Sequence, residues 1–189
     1  MHQNDFNPEI AALWTYLIGA SRKEILSIPL VKCEEGLAKL SREQQILVGF
    51  WWGKGLARPA KKPTGWLNEN KPLYSVQYWG AERRHRIADQ VEHIKHWKIT
   101  SLPYEKIPNK RATWFVDPPY DGTPGEAYVL GRDQIDYQAL GKWCKSRCGQ
   151  TIVCENHGAK WLPFKHLGEF KTARDKKSIE VVCDMNDLT

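Results

Sequence analysis

The stretch Thr113-Trp-Phe-Val-Asp-Pro-Pro-Tyr120 decides how this chain is read. Its first half is an unbroken apolar run, the pattern of a short strand buried on both faces. Its second half cannot continue a β-ladder, because Pro118 and Pro119 have fixed φ angles and no N–H to donate. The strand therefore ends on Asp117, and a stiff turn follows. In an open α/β sheet, ligands gather at the carboxyl ends of the strands. A carboxylate, a fixed carbonyl and the ring of Tyr120 then converge on one small volume. Two acceptors suit an amino group with two N–H donors, and a ring suits the flat face of a base.

The flanking sequence supplies the rest of such a sheet. Lys98–Thr100 (KIT), Thr151–Glu155 (TIVCE) and Ser178–Cys183 (SIEVVC) read as strands, and YQALGKWCKS from Tyr137 reads as a helix. Ahead of them, Ile10, Leu13, Trp14, Leu17 and Ile18 recur at helical spacing, with Asn7 as the N-cap and Pro8 in the first turn. Ser41 and Gln44 have the spacing of a capping box for a second helix. Residues 80–97 alternate charge with Ile87, Val91 and Ile94, the pattern of a surface helix ending near Trp97. Helices alternating with short β-rich runs predict an α/β sheet with helices on both faces. A mostly helical or loop region at 36–90 separates from a core formed by 1–35 and 91–189.

The chain has 189 residues, of which 41% are hydrophobic, enough for one well-formed core. No run approaches the roughly 18 to 20 apolar residues of a membrane span. The N-terminus lacks the basic-then-apolar layout of a secretory signal, so a cytoplasmic protein is expected. A net charge of +6 and a pI near 9.0 favour polyanionic partners. Lys54, Arg58, Lys61 and Lys62 form one basic cluster, and Arg83, Arg84 and Arg86 another, with Trp51, Trp52, Trp66 and Trp79 between them. Two readings fit that pattern: a solvated face around core aromatics, or a surface that tracks phosphates and offers rings to bases. Cys144 and Cys148 are spaced to share a helix face, but a metal pair needs further ligands, so the five cysteines read as idle or buried thiols. His93 and His96, with Glu92 beside them, read as solvated or phosphate-facing rather than as a metal pair.

The sequence Val116-Asp-Pro-Pro-Tyr120 resembles the Asp-Pro-Pro-Tyr motif of S-adenosylmethionine-dependent amino methyltransferases. NDFNPEIAALWTYLI near the N-terminus is similar to the segment in which an acid closes a strand and grips the cofactor ribose. TSLPYEKIPNKRATWFVDPPY, TIVCEN and KKSIEVVC are similar to later strands of the Dam-like DNA adenine methylases. The resemblance implies a Rossmann-like methyltransferase sheet with a small target-recognition insert. It implies methyl transfer from S-adenosylmethionine to adenine N6 of a base flipped out of double-stranded DNA. Asp117 and the Pro118 carbonyl would accept from the amino group, Pro119 would stiffen the turn, and Tyr120 would stack on the base. Asp5, with Asn7 and Asp117, would contact the cofactor, and the seven basic residues named above would face DNA. A monomer in a bacterial or phage-infected cell, alone or beside a restriction enzyme, is the implied setting. A catalytically silent DNA-binding relic is the alternative, as is a cytosine-N4, RNA or protein-amide methyltransferase. The family's glycine-rich cofactor loop would lie before Asp5, ahead of Met1, so an N-terminally incomplete version of the fold is expected. Trp51, Gly53 and Gly55 fit the loop's spacing, in a segment that reads helical. Pro103 stands in SLPYE where the family often carries an acid.

Overall fold

A computed structural model describes residues 1–53, 58–63, 79–122, 125, 126, 128, 130–171 and 177–185. The chain divides into two compact units, Met1–Tyr104 and Glu105–Thr189.

The first unit is helical, with one small parallel sheet. Strand β1 (His2–Asn4) pairs with β2 (Lys98–Thr100). Asn4 fixes the pair: its carboxamide oxygen accepts from the Thr100 hydroxyl at 2.8 Å and the Leu102 N–H at 3.0 Å. Helix α1 (Pro8–Gly19) starts where the sequence places it, with Pro8 in its first turn and the Asn7 side chain accepting from Glu9 N–H at 3.0 Å. Helices α2 (Arg22–Ser27), α3 (Glu34–Ala38), α4 (Arg42–Trp52) and α5 (Ala81–Val91) follow. Ser21 with Glu24, and Ser41 with Gln44, close reciprocal capping boxes on α2 and α4.

Helix α5 is shorter than its charge pattern predicts. It tightens into a 3-10 turn at Glu92–Ile94, and Trp97 N–H closes back on Ile94 at 2.9 Å. Residues 1–35, which composition sets apart from 36–90, share one hydrophobic cluster with them. Leu13, Ile25 and Ile28 pack in it with Ile46, Val48, Trp52, Trp79, Ala88 and Val91.

The second unit is a mixed sheet, with strand order β3-β4-β6-β5. Strand β3 (Trp114–Val116) runs parallel to β4 (Thr151–Asn156). Strand β6 (Lys177–Met185) is antiparallel both to β4 and to β5 (Lys165–Lys171), with a bulge between His166 and Gly168. Strand β5, at the end of the sheet order, has no counterpart in the sequence reading. Helix α6 (Tyr137–Lys145), capped by Asp136 through Ala139 N–H at 2.9 Å, packs Leu140 and Cys144 into the interior.

Two sequence expectations change here. Strand β3 is not buried on both faces: Phe115 is 67% exposed, and among the described residues β3 pairs with β4 alone. Cys148 does not share a helical face with Cys144, because α6 ends at Lys145. Gly149 shapes the approach to β4. Its φ of +100° favours glycine, and a Cβ there would lie 2.1 Å from the Ala112 carbonyl oxygen. The observed class is mixed α/β with small sheets. Among the described residues, no helix is long and apolar enough to cross a membrane.

Candidate active site at the carboxyl edge of the sheet

Because β3 and β4 are parallel and β6 runs antiparallel to β4, the C-terminal end of β4 lies beside the first half of β6, with the end of β3 on its other side. The register sets Val116 beside Val153 and Asn156 beside Glu180. Asp117–Asp121, Glu155–Asn156 and Ser178–Glu180 are thereby gathered at one edge, which is where ligand chemistry collects in sheets of this kind.

Among the described residues, three side-chain contacts hold the Asp-Pro-Pro-Tyr turn. The first is made by Glu155, which is fully buried at 0% exposure. Its two carboxylate oxygens accept from Asp121 N–H at 3.1 and 3.0 Å, from Asn156 N–H at 2.7 Å and from Trp161 Nε1–H at 3.0 Å. Burial pushes this carboxyl upward, and the N–H groups of Asn156, Asp121 and Trp161 pull it back. A group that only accepts, from three different N–H donors, is placed as a carboxylate. The second contact is Tyr137, whose hydroxyl donates to the Pro119 carbonyl at 2.5 Å. The Tyr137 ring packs 5.5 Å from that of Trp161, so the two supports brace each other. The third is the Tyr120 hydroxyl, which donates to Glu180 at 3.0 Å, while Ser178 donates to the other oxygen of Glu180 at 2.8 Å.

Asp117 stands in a different condition. Desolvation raises its pKa first, the nearby Glu180 carboxylate raises it further, and the Tyr120 hydroxyl opposes them. Tyr120 is also pushed strongly upward, by burial and then by Asp117 and Glu180, so its hydroxyl stays protonated and can donate. Cys154 and Tyr128 lie in the same field: burial and then Asp117 raise both. Asn156 ends β4 at this edge, and His157 follows it. His157 N–H donates to Ile179 at 3.1 Å.

Asp5 directly follows β1, and its backbone N–H donates to Thr100 at 3.0 Å. Its carboxylate accepts from Asn7 N–H at 2.9 Å, and the Asn7 side chain is itself committed to capping α1. Burial raises the Asp5 carboxyl, and the Asn7 N–H opposes that shift.

The basic residues divide by environment. Arg58, Lys61, Lys62 and Arg86 are exposed. The 58–63 segment lies against α4 at Gly49, where a Cβ would come within 2.7 Å of Ala60 O and 2.8 Å of Pro59 Cβ. Arg84 is turned inward, donating to the carbonyls of Leu26 at 2.9 Å and Ile28 at 2.7 Å at the end of α2. Arg83 pairs with Glu82 at 3.2 Å and covers the Trp51 ring. Trp52 and Trp79 are core residues, each 1% exposed. Lys54, Trp66 and Gly55 lie outside the described residues. Trp51 and Trp52 close α4 and Gly53 caps it, so that segment ends a helix instead of opening one. Among the described residues, no cluster of three metal-ligating side chains forms, and His93 and His96 are exposed.

Sequence reasoning reached Asp117 to Tyr120 but not Glu155, Tyr137, Ser178 or Glu180. The only local signal was an acid inside an apolar strand at Glu155. Comparison of the chain with family models, with curated proteins and with solved structures finds no match.

Proposed function

We propose that this chain is a DNA adenine-N6 methyltransferase that uses S-adenosylmethionine as methyl donor, with the Asp-Pro-Pro-Tyr turn as the side of the site that accepts the amino group. The observation that carries the reading is the division of labour in the Asp-Pro-Pro-Tyr turn. Its backbone is held by Glu155 and Tyr137, and its ring by Glu180. Asp117 is then available to accept from an exocyclic amino group, with the Pro118 carbonyl as the second acceptor. Accepting both N–H bonds frees the nitrogen lone pair from the ring, and Tyr120 gives the flipped base a surface to stack on. The exposed Arg58, Lys61, Lys62 and Arg86 would meet DNA phosphates. Within the second unit, the parallel pair β3–β4 ends on an acid-bearing turn, the local feature a Rossmann-like methyltransferase sheet would need, whereas β1–β2 is a separate two-stranded sheet of the first unit.

The cofactor's residues fit only in part. Asp5 suits the ribose hydroxyls, but the Asn7 side chain is spent on its cap. Among the described residues, no glycine-rich turn between a strand and a helix fits the methionine end. The reading therefore concerns how the base is accepted, and no transfer step is built on these residues. The same mismatch favours a second reading, a DNA-binding protein of this fold that transfers no methyl group.

Tritiated S-adenosylmethionine and unmethylated DNA of mixed sequence separate the two. The first reading predicts label in DNA that Asp117→Ala removes, with DNA affinity kept within about twofold. DNA binding without label in the unaltered chain would favour the second. Neither label nor DNA binding would sink both.

A further inference from the structure

We propose that Glu180 is a positioning residue that fixes the ring of Tyr120 in the plane needed to receive a base, with Ser178 in turn fixing Glu180. This rests on the reading of the turn as a base-holding site. A tyrosine on a turn has two free side-chain torsions, and the prolines beside Tyr120 restrain its backbone but not its ring. The ring is restrained instead by its hydroxyl, which donates to one oxygen of Glu180 at 3.0 Å. The other oxygen accepts from Ser178 at 2.8 Å. Both carboxylate oxygens are engaged, so the acceptor is itself oriented and not a swinging surface acid. Ser178 and Glu180 are alternate residues of β6, on one face of the sheet, and Glu180 lies across from Asn156 of β4. The support therefore comes from a paired, hydrogen-bonded strand, which is more precise than support from another loop.

The arrangement has a chemical logic. A stacking platform is useful in proportion to how little entropy it loses when the base arrives. Glu180 takes the Tyr120 hydroxyl at a point where Asp117 also feels it, so the ring is held beside the amino-group acceptor by a residue of a neighbouring strand. A second carboxylate near Asp117 is an electrostatic cost, and a sheet edge chosen only for stability would not favour it.

The test uses the full chain with 13C-labelled tyrosine, and deoxyadenosine as the probe. Tyr120→Phe assigns the Tyr120 ring signals. In the unaltered protein these should report an ordered ring, and deoxyadenosine should shift them. Glu180→Ala should give a mobile ring and weaken deoxyadenosine binding about tenfold, the scale of one hydrogen bond to a charged group. Glu180→Gln keeps an acceptor oxygen and should recover part of that loss. Tyr120→Phe should weaken binding as Glu180→Ala does, and the double variant should be no worse than either alone. An ordered ring and unchanged affinity in Glu180→Ala, with binding abolished in Tyr120→Ala, would overturn the proposal while leaving the base-holding reading intact. Absence of deoxyadenosine binding by the unaltered chain would overturn that reading and the role given to Glu180 with it. The ring signals tell these two failures apart. If Glu180→Ala fails to fold, Ser178→Ala frees one carboxylate oxygen and should loosen the ring in the same direction; a ring as ordered as in the unaltered chain would count against the proposal.

Discussion

Asp5 and Asp117 occupy similar places and lead different lives. Each directly follows a three-residue strand paired in parallel, and each precedes a proline-bearing turn. Asp5 binds the backbone of its own turn, accepting Asn7 N–H, and Asn7 then caps α1. At Asp117 the work of holding the turn has been moved elsewhere, to Glu155, Tyr137 and Glu180. The carboxylate that defines the motif is left in a crowded, partly desolvated place, next to another acid. An acid that stabilises its own turn and an acid whose turn is held by other residues are thus told apart by who holds the backbone, not by local sequence.

The largest break of that comparison is Glu155→Ala. It leaves the N–H groups of Asp121, Asn156 and Trp161 without their buried acceptor, and should cost about 3–5 kcal/mol in thermal unfolding. Glu155→Gln should be nearly as harmful, because its NH2 must face a donor. A near-neutral Glu155→Gln would mean that Glu155 does not accept from all three as drawn.

Next comes Trp52→Ala, which empties a core position and should cost about 3–5 kcal/mol, while leaving salt-dependent DNA binding unchanged. Weakened DNA binding at equal fold would restore Trp52 to the nucleic-acid surface. Removing the Asp5 carboxylate should cost less, about 0.5–2 kcal/mol, the range of a helix-entry cap.

The pH dependence sharpens the contrast further. Asp117 has a raised pKa in the folded chain, so its ionised form is disfavoured by folding: it lowers stability at neutral pH, and that penalty is relieved as pH falls and the carboxyl protonates. The proposed base binding runs the opposite way. It needs the ionised acceptor and is lost as pH drops through the raised pKa. Glu180→Gln removes one of the raising charges and should move this acid limb to lower pH, read from deoxyadenosine titrations at several pH values.

The smallest effects belong to the surface. Arg86→Ala should change stability by less than about 0.5 kcal/mol and lower the salt slope of DNA binding by roughly one contact. Arg84→Ala should do the reverse, loosening the end of α2 with little change in the slope.

Much of the fold was legible because its signals are local. Pro8 and Asn7 mark α1, capping-box spacing marks α4, and apolar runs mark β4 and β6. Strand β5 was not legible: Lys165–Lys171 carries a glycine, a bulge and exposed charges, and its pairing with β6 supplies what the sequence pattern lacks. Asp117 to Tyr120 could be read from one octapeptide. Glu155 and Glu180 could not, since they meet the turn across 34 and 60 residues of chain. The partners of Arg84, the carbonyls at the end of α2, were hidden for the same reason: they lie 58 and 56 residues away. Trp52 and Trp79 look the same in sequence whether they face a base or a core.

The most direct measurement is a paired one on Asp117→Ala: its unfolding temperature at neutral pH and its affinity for deoxyadenosine. Loss of at least tenfold in affinity, with an unfolding temperature equal to or above that of the unaltered protein, is the outcome this account predicts. A protein that melts early and still binds the nucleoside would mean that Asp117, like Asp5, serves its own turn.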